Sequence, residues 1–293
     1  PMDGVSMLYC VDDADAEDQH KTQYFEMFGN RAIYHDGWLA RVVHKVPWRG
    51  DEPFHPLQED VWDLYDTRAD FSLSNNLAKE EPEKLKELQE LFEKEAIANN
   101  VYPLDDRTYV RFNAARAGRP DLMGERKSLT LSEGMSGITE NTFLNVKNTS
   151  KTIEADVELR GKDRGVIIAQ GGKFGGWALY MDRGKPTYTY NWFGLDSYTV
   201  QAARPVQGKE ATIKLDFEYD GDGFGKGGTA TIFVNDEKVA EGRIDKTEPN
   251  VFSADETADV GKDGGTVVVP VFKSIEDSEF TGRVRSVTVS IRK

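Results

Sequence analysis

Residues 153–159 read Ile-Glu-Ala-Asp-Val-Glu-Leu, and residues 213–219 read Ile-Lys-Leu-Asp-Phe-Glu-Tyr. Apolar and polar residues alternate in both stretches, and residues 287–291, Val-Thr-Val-Ser-Ile, repeat the pattern. Because successive side chains of a strand point to opposite faces, this alternation predicts strands with one apolar and one polar face. Several more short segments of this kind, separated by glycine-rich turns, predict an antiparallel β-sandwich or jelly-roll-like domain over residues 128–293.

One of these strands is rich in aromatic residues. Tyr188, Tyr190 and Trp192 alternate with polar residues, so the three rings share one face of the strand. The rings form either a core stripe on the inner face or an outward platform on which a glycan can stack. Thr187, Thr189 and Asn191 are expected on a solvent-facing side, and this expectation favours the core stripe for the rings.

The stretch 220–228, Asp-Gly-Asp-Gly-Phe-Gly-Lys-Gly-Gly, superficially suggests calcium or phosphate binding. An EF-hand loop requires a glutamate at its twelfth position, where this chain has Thr231. A phosphate-binding loop requires Ser or Thr after the lysine and a helix to follow, whereas here two glycines precede a predicted strand. The stretch is therefore interpreted as a flexible hairpin connection.

The first 127 residues follow a different pattern. Four segments rich in strand-forming residues, with turns predicted at Gly29-Asn30 and Asp36-Gly37, indicate a small antiparallel four-stranded sheet. After residue 80, the three- and four-residue spacings of Leu85, Leu88, Leu91 and Phe92 predict an amphipathic helix that covers this sheet. We therefore predict an α+β fold with two domains, residues 1–127 (sheet, covering helix and linker) and residues 128–293 (the β-sandwich).

Charge and composition exclude some classes of function. The chain has 37 basic and 51 acidic residues, a formal net charge of -14, which argues against nucleic acid as a partner. No apolar stretch approaches the roughly 20 residues of a membrane span. The only cysteine, Cys10, cannot form an internal disulfide, and the compartment stays open. The four histidines, at positions 20, 35, 44 and 55, have no metal-ligand spacing, although distant residues can converge in space.

Residues 22–38, Thr-Gln-Tyr-Phe-Glu-Met-Phe-Gly-Asn-Arg-Ala-Ile-Tyr-His-Asp-Gly-Trp, resemble the C-terminal subdomain of bacterial arylsulfatases, members of the type I, formylglycine-dependent sulfatase family. The similarity continues at residues 62–66 and 75–78 and at the helix that begins near Glu81-Pro82. The β-rich remainder is similar to the terminal extension of one arylsulfatase subgroup. The resemblance therefore spans nearly the whole chain and implies a C-terminal subdomain of an α/β sulfatase followed by a sandwich extension.

This resemblance implies that the chain is part of a sulfuric ester hydrolase. The implied partners are the missing N-terminal sulfatase portion and a sulfate-ester substrate, and the parent enzyme would supply formylglycine and calcium. The family's Cys/Ser-x-Pro-x-Arg motif and its adjacent Asp-Asn pair are absent from the sequence. No catalytic or metal-binding residue is therefore expected in this chain, and the isolated chain is expected to be inactive. The resemblance leaves His20, Tyr34, His35 and Trp38 as candidates for the substrate rim.

Two alternatives come from other functional classes. The sandwich could be a carbohydrate-binding accessory module, with the aromatic strand as its binding surface, or a structural module that mediates oligomer contacts. Binding of a glycan by the sandwich would separate the first of these from the second.

Overall fold

The computed structural model describes residues 4–46 and 55–292. The chain forms two compact units, Pro1–Thr108 and Tyr109–Lys293. The domain boundary predicted between residues 127 and 128 lies further along the chain than this division after Thr108. Among the described residues, no helix is both long enough and apolar enough to cross a membrane.

The first unit contains one antiparallel sheet and one helix. The strands are β1 (Thr22–Met27), β2 (Asn30–His35), β3 (Trp38–Val42) and β4 (Asp63–Asp66), and they are hydrogen-bonded in chain order. Helix α1 (Pro82–Ala98) packs Leu88, Phe92 and Ala96 against Ile33, Ala40 and Leu64 of the sheet. Pro82 suits the first turn of α1, because the first amide groups of a helix have no intrahelical acceptor. Short 3-10 turns lie at Met7–Cys10 and Leu57–Glu59.

The hairpin turns of this sheet use residues with positive φ. Asp36 and Gly37 have φ of 44° and 86°, and their counterparts Phe28 and Gly29 have φ of 57° and 86°. Such turns match the twist of the flanking strands. Glycine is also required at position 29 because the His44 side chain packs closely against its backbone. A Cβ there would lie 2.8 Å from the imidazole of His44.

The second unit consists of two six-stranded antiparallel sheets. One has the order β11-β10-β9-β8-β15-β6 and the other the order β14-β13-β12-β7-β16-β5. The bounds are β5 Ser128–Leu131, β6 Ile138–Thr139, β7 Ser150–Glu158, β8 Gly165–Gly172, β9 Gly175–Asp182, β10 Lys185–Trp192, β11 Asp196–Gln201, β12 Glu210–Tyr219, β13 Gly228–Val234, β14 Glu237–Ile244, β15 Thr257–Val260 and β16 Arg283–Arg292. A one-turn helix, α2 (Ala114–Ala117), precedes them. The remaining short 3-10 turns are Tyr109–Phe112, Glu140–Thr142 and Glu276–Ser278.

The main core of the second unit lies between its two sheets. Ile153, Ala155 and Val157 of β7 face residues such as Trp177 and Leu179 of β9, and all are buried. The outer face of β8–β10 is also covered. A second apolar cluster there joins residues of β8 and β9 to a segment that follows β15: Val166, Ala169, Ala178, Tyr180, Val268, Val269 and Phe272.

The structure corrects the predicted fold class. The described residues form sixteen strands in three sheets, only 13% of the chain is helical, and the described part has one helix longer than a single turn. The fold is nearly all β, so the prediction of an α+β sulfatase subdomain is wrong. The helical spacing of apolar residues is confined to residues 82–98, and it led to the α+β prediction. The fold class is determined by the many strands of the second unit.

Candidate functional site

A cleft of about 590 Å³ lies in the second unit where β7, β12 and β16 meet the segment around α2. This volume is in the range of sites that bind small ligands. Its walls come from residues 113–127, residues 144–150, the loop after β12 and the end of β16. Because the walls come from distant parts of the chain, a ligand there would contact several segments at once.

Two amide side chains, the buried Asn113 and the half-buried Asn148, hold these walls together around one carbonyl group. The amide nitrogens of Asn113 and Asn148 donate to the backbone oxygen of Pro249, at 3.0 and 2.8 Å. Asn113 Oδ1 accepts from the amide of Arg116 and so caps α2, while Asn148 Oδ1 accepts from the amide of Gly225. The α2 segment and the loop after β12 are thereby fixed to the same point.

Arg116 and Phe224 form the most exposed aromatic feature of the cleft. The guanidinium carbon of Arg116 lies 4.3 Å from the centre of the Phe224 ring, a cation–π contact. Arg116 also donates to Asn250 Oδ1, which fixes the guanidinium group. Phe224 is 58% exposed although it is a large apolar residue. A fixed and exposed ring of this kind offers a surface on which an apolar ligand face can stack.

The loop that carries Phe224 is well anchored. The hydroxyl of Tyr219 donates to the carbonyl of Gly223 at 3.1 Å and accepts from the amide of Lys226 at 2.8 Å. Burial raises the pKa of Tyr219, so this hydroxyl keeps its proton at neutral pH. The stretch interpreted as a hairpin connection does join β12 to β13, and backbone hydrogen bonds hold its shape.

The charges around the cleft have both signs. Asp121, Glu125 and Asp222 are exposed acids, and Arg126 and Lys127 are exposed bases. Two further basic residues in the lining are already paired with acids: Lys147 with Glu140 and Arg292 with Asp216. A cleft with balanced donors and acceptors suits a ligand rich in hydroxyl groups better than a polyanion.

The aromatic strand, β10, does not form the glycan platform considered from the sequence. Tyr188 and Tyr190 are 0% and 1% exposed and lie in the core between the sheets, so no sugar can reach them. Trp192 lies at the margin of that core, and the ammonium group of Lys246 is 4.4 Å from its ring centre.

The expectation that Thr187, Thr189 and Asn191 face solvent is also wrong, because all three are buried. The segment after β15 covers this face, and Asn191 donates to the carbonyl groups of Lys173 and Val268 at 2.9 and 3.3 Å. The hydroxyl of Thr189 bonds to that of Tyr180, 3.1 Å away. Polar side chains are tolerated there because they are hydrogen-bonded.

The four substrate-rim candidates do not share one face of the first unit. His35 and Trp38 are cross-strand partners, and Trp38 packs on the side covered by α1. Tyr34 points to the opposite face, because adjacent residues of a strand alternate. His20 is exposed before β1 and lies 3.1 Å from the amide oxygen of Gln23. Their role at a substrate rim stays a prediction.

Sequence reasoning missed several buried ionisable groups in the sandwich, among them Lys151 and Glu248. Lys151 is 2% exposed, and burial, with a further contribution from Lys147, lowers its pKa to about 7. Glu248 is fully buried, and burial raises its pKa to about 8. The sequence does indicate that Lys151 is buried. Lys151 is an even number of residues from Ile153, Ala155 and Val157, so its side chain lies with theirs on the inner face of β7.

Among the described residues, one group of three side chains could hold a metal ion: His44, His55 and Asp60 of the first unit. Burial alone would raise the pKa of the Asp60 carboxyl, but hydrogen bonds from His44, Arg31 and His55 hold it below its ordinary value. The four histidines of the sequence thus include two that the fold brings together.

No family model and no curated protein matches this chain. Several solved structures are similar over part of it. The CBM40 module of the Ruminococcus gnavus IT-sialidase has 15% identity and a TM-score of 0.38, covering 57% of this chain and 92% of the module. Domains LG4-5 of the mouse laminin α1 chain have 12% identity and a TM-score of 0.35, covering 57% and 40%. The SAP-like pentraxin of Limulus polyphemus has 12% identity and a TM-score of 0.31, covering 56% and 74%.

These findings correct the family resemblance. No family model matches the chain and none of the structures named above is a sulfatase, so the resemblance to arylsulfatases is wrong. The expectations that depended on it, a parent sulfuric ester hydrolase with formylglycine and calcium, have no further support. At these identities and TM-scores the similarity concerns the general β-sandwich arrangement alone, and it says nothing about a ligand.

Proposed function

We propose that the second unit is a carbohydrate-binding module and that the cleft beside Phe224 is its binding site. The observation that carries the proposal is the exposed Phe224 ring, held by Arg116 at the mouth of a cleft of about 590 Å³. A sugar ring has an apolar face of C–H groups and an edge of hydroxyl groups. It therefore needs an aromatic plane and nearby polar groups, and this cleft offers both.

The balanced charges of the cleft support a neutral or weakly acidic glycan. Asp121, Glu125 and Asp222 would accept hydrogen bonds from sugar hydroxyl groups, and Arg126 and Lys127 would donate them. A nucleic acid or another polyanion would meet three carboxylates at the same opening. The net charge of -14 for the whole chain also disfavours the binding of a polyanion.

The test uses the full chain and a panel of neutral, sialylated and sulfated oligosaccharides, with affinities measured by isothermal titration calorimetry. Phe224→Ala should weaken binding of the recognised glycan about tenfold or more, because it removes the stacking surface, while Phe224→Tyr should retain it. The matched control is Phe174→Ala, an exposed phenylalanine in the loop between β8 and β9, outside the cleft.

Three outcomes decide the proposal. Loss of binding in Phe224→Ala with normal binding in Phe174→Ala supports it. Loss in Phe174→Ala alone would place the site at the other loop and contradict the assignment of the cleft. If the wild-type chain bound no glycan of the panel, the structural accessory role would be favoured instead.

A further inference from the structure

The first unit contains a convergent group of nitrogen and oxygen atoms. His44 follows β3, and His55 and Asp60 lie on either side of the short turn Leu57–Glu59. Asp60 Oδ1 is 2.8 Å from His44 Nδ1 and 2.8 Å from His55 Nε2. The two imidazole rings are tilted by 59°, with centres 5.0 Å apart, so their nitrogens converge on the carboxylate instead of stacking.

The group is buried on one side and open on the other. The side chains of His44 and Asp60 are 0% and 1% exposed, whereas that of His55 is 43% exposed. Ions and water therefore reach the group from the side of His55. Such a geometry, with three convergent protein atoms and one direction open, is typical of metal sites that keep a water ligand.

The groups behind these three residues are arranged as metal sites require. Asp106 Oδ2 is 3.3 Å from His44 Nε2, on the far side of the ring from Asp60. Arg31 donates to Asp60 Oδ2 at 2.6 Å and leaves Oδ1 to the two histidines. A histidine ligand commonly donates its second N–H to a carboxylate, and a ligating carboxylate is commonly held by a donor.

Both nitrogens of His44 face carboxylate oxygens, Nδ1 that of Asp60 and Nε2 that of Asp106. A metal ion bound to Nδ1 would leave the N–H on Nε2 to donate to Asp106, which is the arrangement common for histidine ligands.

We propose that His44 Nδ1, His55 Nε2 and Asp60 Oδ1 form a zinc site that joins the segment 55–60 to the end of β3. Two imidazole nitrogens and one carboxylate oxygen suit Zn²⁺, whereas Ca²⁺ and Mg²⁺ prefer all-oxygen ligand sets. Tetrahedral zinc places its ligand atoms about 3.4 Å apart, so the present 2.8 Å spacings must open by about half an ångström. Rotation of the exposed His55 provides part of this movement.

The experiment uses the full chain without a polyhistidine tag, after removal of metal ions with a chelating resin. Zinc chloride is titrated by calorimetry, and Co²⁺ is used as a spectroscopic probe of coordination. His55→Ala is the informative variant because His55 is the most exposed of the three ligands. Asp106→Asn tests the group behind His44. His20→Ala is the matched control, since His20 is an exposed histidine of the same unit outside the group.

The expected result is one zinc ion per chain with a dissociation constant in the micromolar range or below. His55→Ala should weaken zinc binding and change the Co²⁺ spectrum, Asp106→Asn should weaken it about tenfold or more, and His20→Ala should match the wild type. Circular dichroism of the metal-free variants checks that each one folds. Absence of saturable zinc binding by the wild type, or equal affinity in His55→Ala, would overturn the proposal.

Discussion

Replacement of Lys151 by methionine should stabilise the second unit, by an amount that depends on pH. Lys151 points into the core, where its ammonium group is 4.9 Å from the ring centre of Phe217 and 5.8 Å from that of Trp177. Its hydrogen bond to the carbonyl of Val146 is long, at 3.4 Å. Among the ion pairs of the described residues, none includes Lys151. The buried charge therefore has weak compensation, and an apolar side chain of similar length should fit better.

The magnitude follows from the pKa. Burial, with a smaller contribution from Lys147, lowers the pKa of Lys151 from 10.5 to about 7. This difference means that protonation of the amine is about 5 kcal/mol less favourable in the folded protein than in the unfolded chain. Loss of the cation–π contacts removes about 0.5–2 kcal/mol of the gain. We expect Lys151→Met to raise the free energy of unfolding by about 2–4 kcal/mol at pH 7.

The sign of the pH dependence is fixed by which state binds more protons. Between pH 7 and 10.5 the lysine is protonated in the unfolded chain but largely neutral in the folded one. Wild-type stability therefore rises with pH through this window, by up to about 1.4 kcal/mol per unit, and the penalty is constant below pH 7. Methionine has no charge, so the gain from Lys151→Met should be largest at pH 7 and below and should shrink by pH 9.

The assay is urea denaturation at pH 6, 7, 8 and 9, with hydrogen-exchange pulses that report on peptides from β7 and β12. Lys214→Met is the matched control, because Lys214 lies on β12 with 27% of its side chain exposed, 5.0 Å from the Phe233 ring centre. Its effect should not vary between pH 7 and 9. A gain for Lys151→Met that is equal at pH 7 and 9, or a loss at every pH, would refute the reasoning.

Two further predictions concern the sandwich. One oxygen of the buried Asp263 carboxylate accepts from the amide of Val268 at 2.7 Å, and the other has no hydrogen-bond partner among the described residues. Burial raises the pKa of this carboxyl to about 7. Stability should therefore fall as pH rises from about 4 to 7, and Asp263→Asn should raise the melting temperature clearly more at pH 8 than at pH 5. Tyr190→Ala should cost about 3–5 kcal/mol in urea denaturation, because its ring is fully packed. Trp192→Ala should cost clearly less, since Trp192 is partly exposed, and equal costs would contradict this.

The strands of the sandwich were predictable because their pattern is local. Ile153, Ala155 and Val157 alternate with acids, and the structure pairs them in register with β12 and β16. The covering of β10 was not predictable in the same way. Thr187, Thr189 and Asn191 are typical of an exposed face, but a segment some 80 residues later closes over them. Local alternation indicates that two faces differ, and it does not indicate what lies against each face.

The candidate sites depend on contacts between distant residues. Arg116 and Phe224 meet although more than 100 residues separate them, and the sequence indicated only a hairpin connection at Phe224. His44 and His55 have no recognisable ligand spacing, yet both lie against Asp60. Lys151 is an exception, because its burial could have been predicted from the local alternation of residues in β7. The resemblance on which the enzyme hypothesis depended rested on short motifs, most specifically those of residues 22–38, and the comparisons do not support it.

The position of β16 determines when the second unit can fold during synthesis. This strand lies between β7 and β5, and each of its pairs joins residues more than 120 positions apart. Until β16 has left the ribosome, β7 lacks one of its two neighbours and the inner face of its sheet stays open beside the gap. Nascent chains that end before residue 283 should therefore expose apolar strand edges and bind chaperones, whereas the first unit, whose strands pair in chain order, can form its sheet as soon as residue 66 is free.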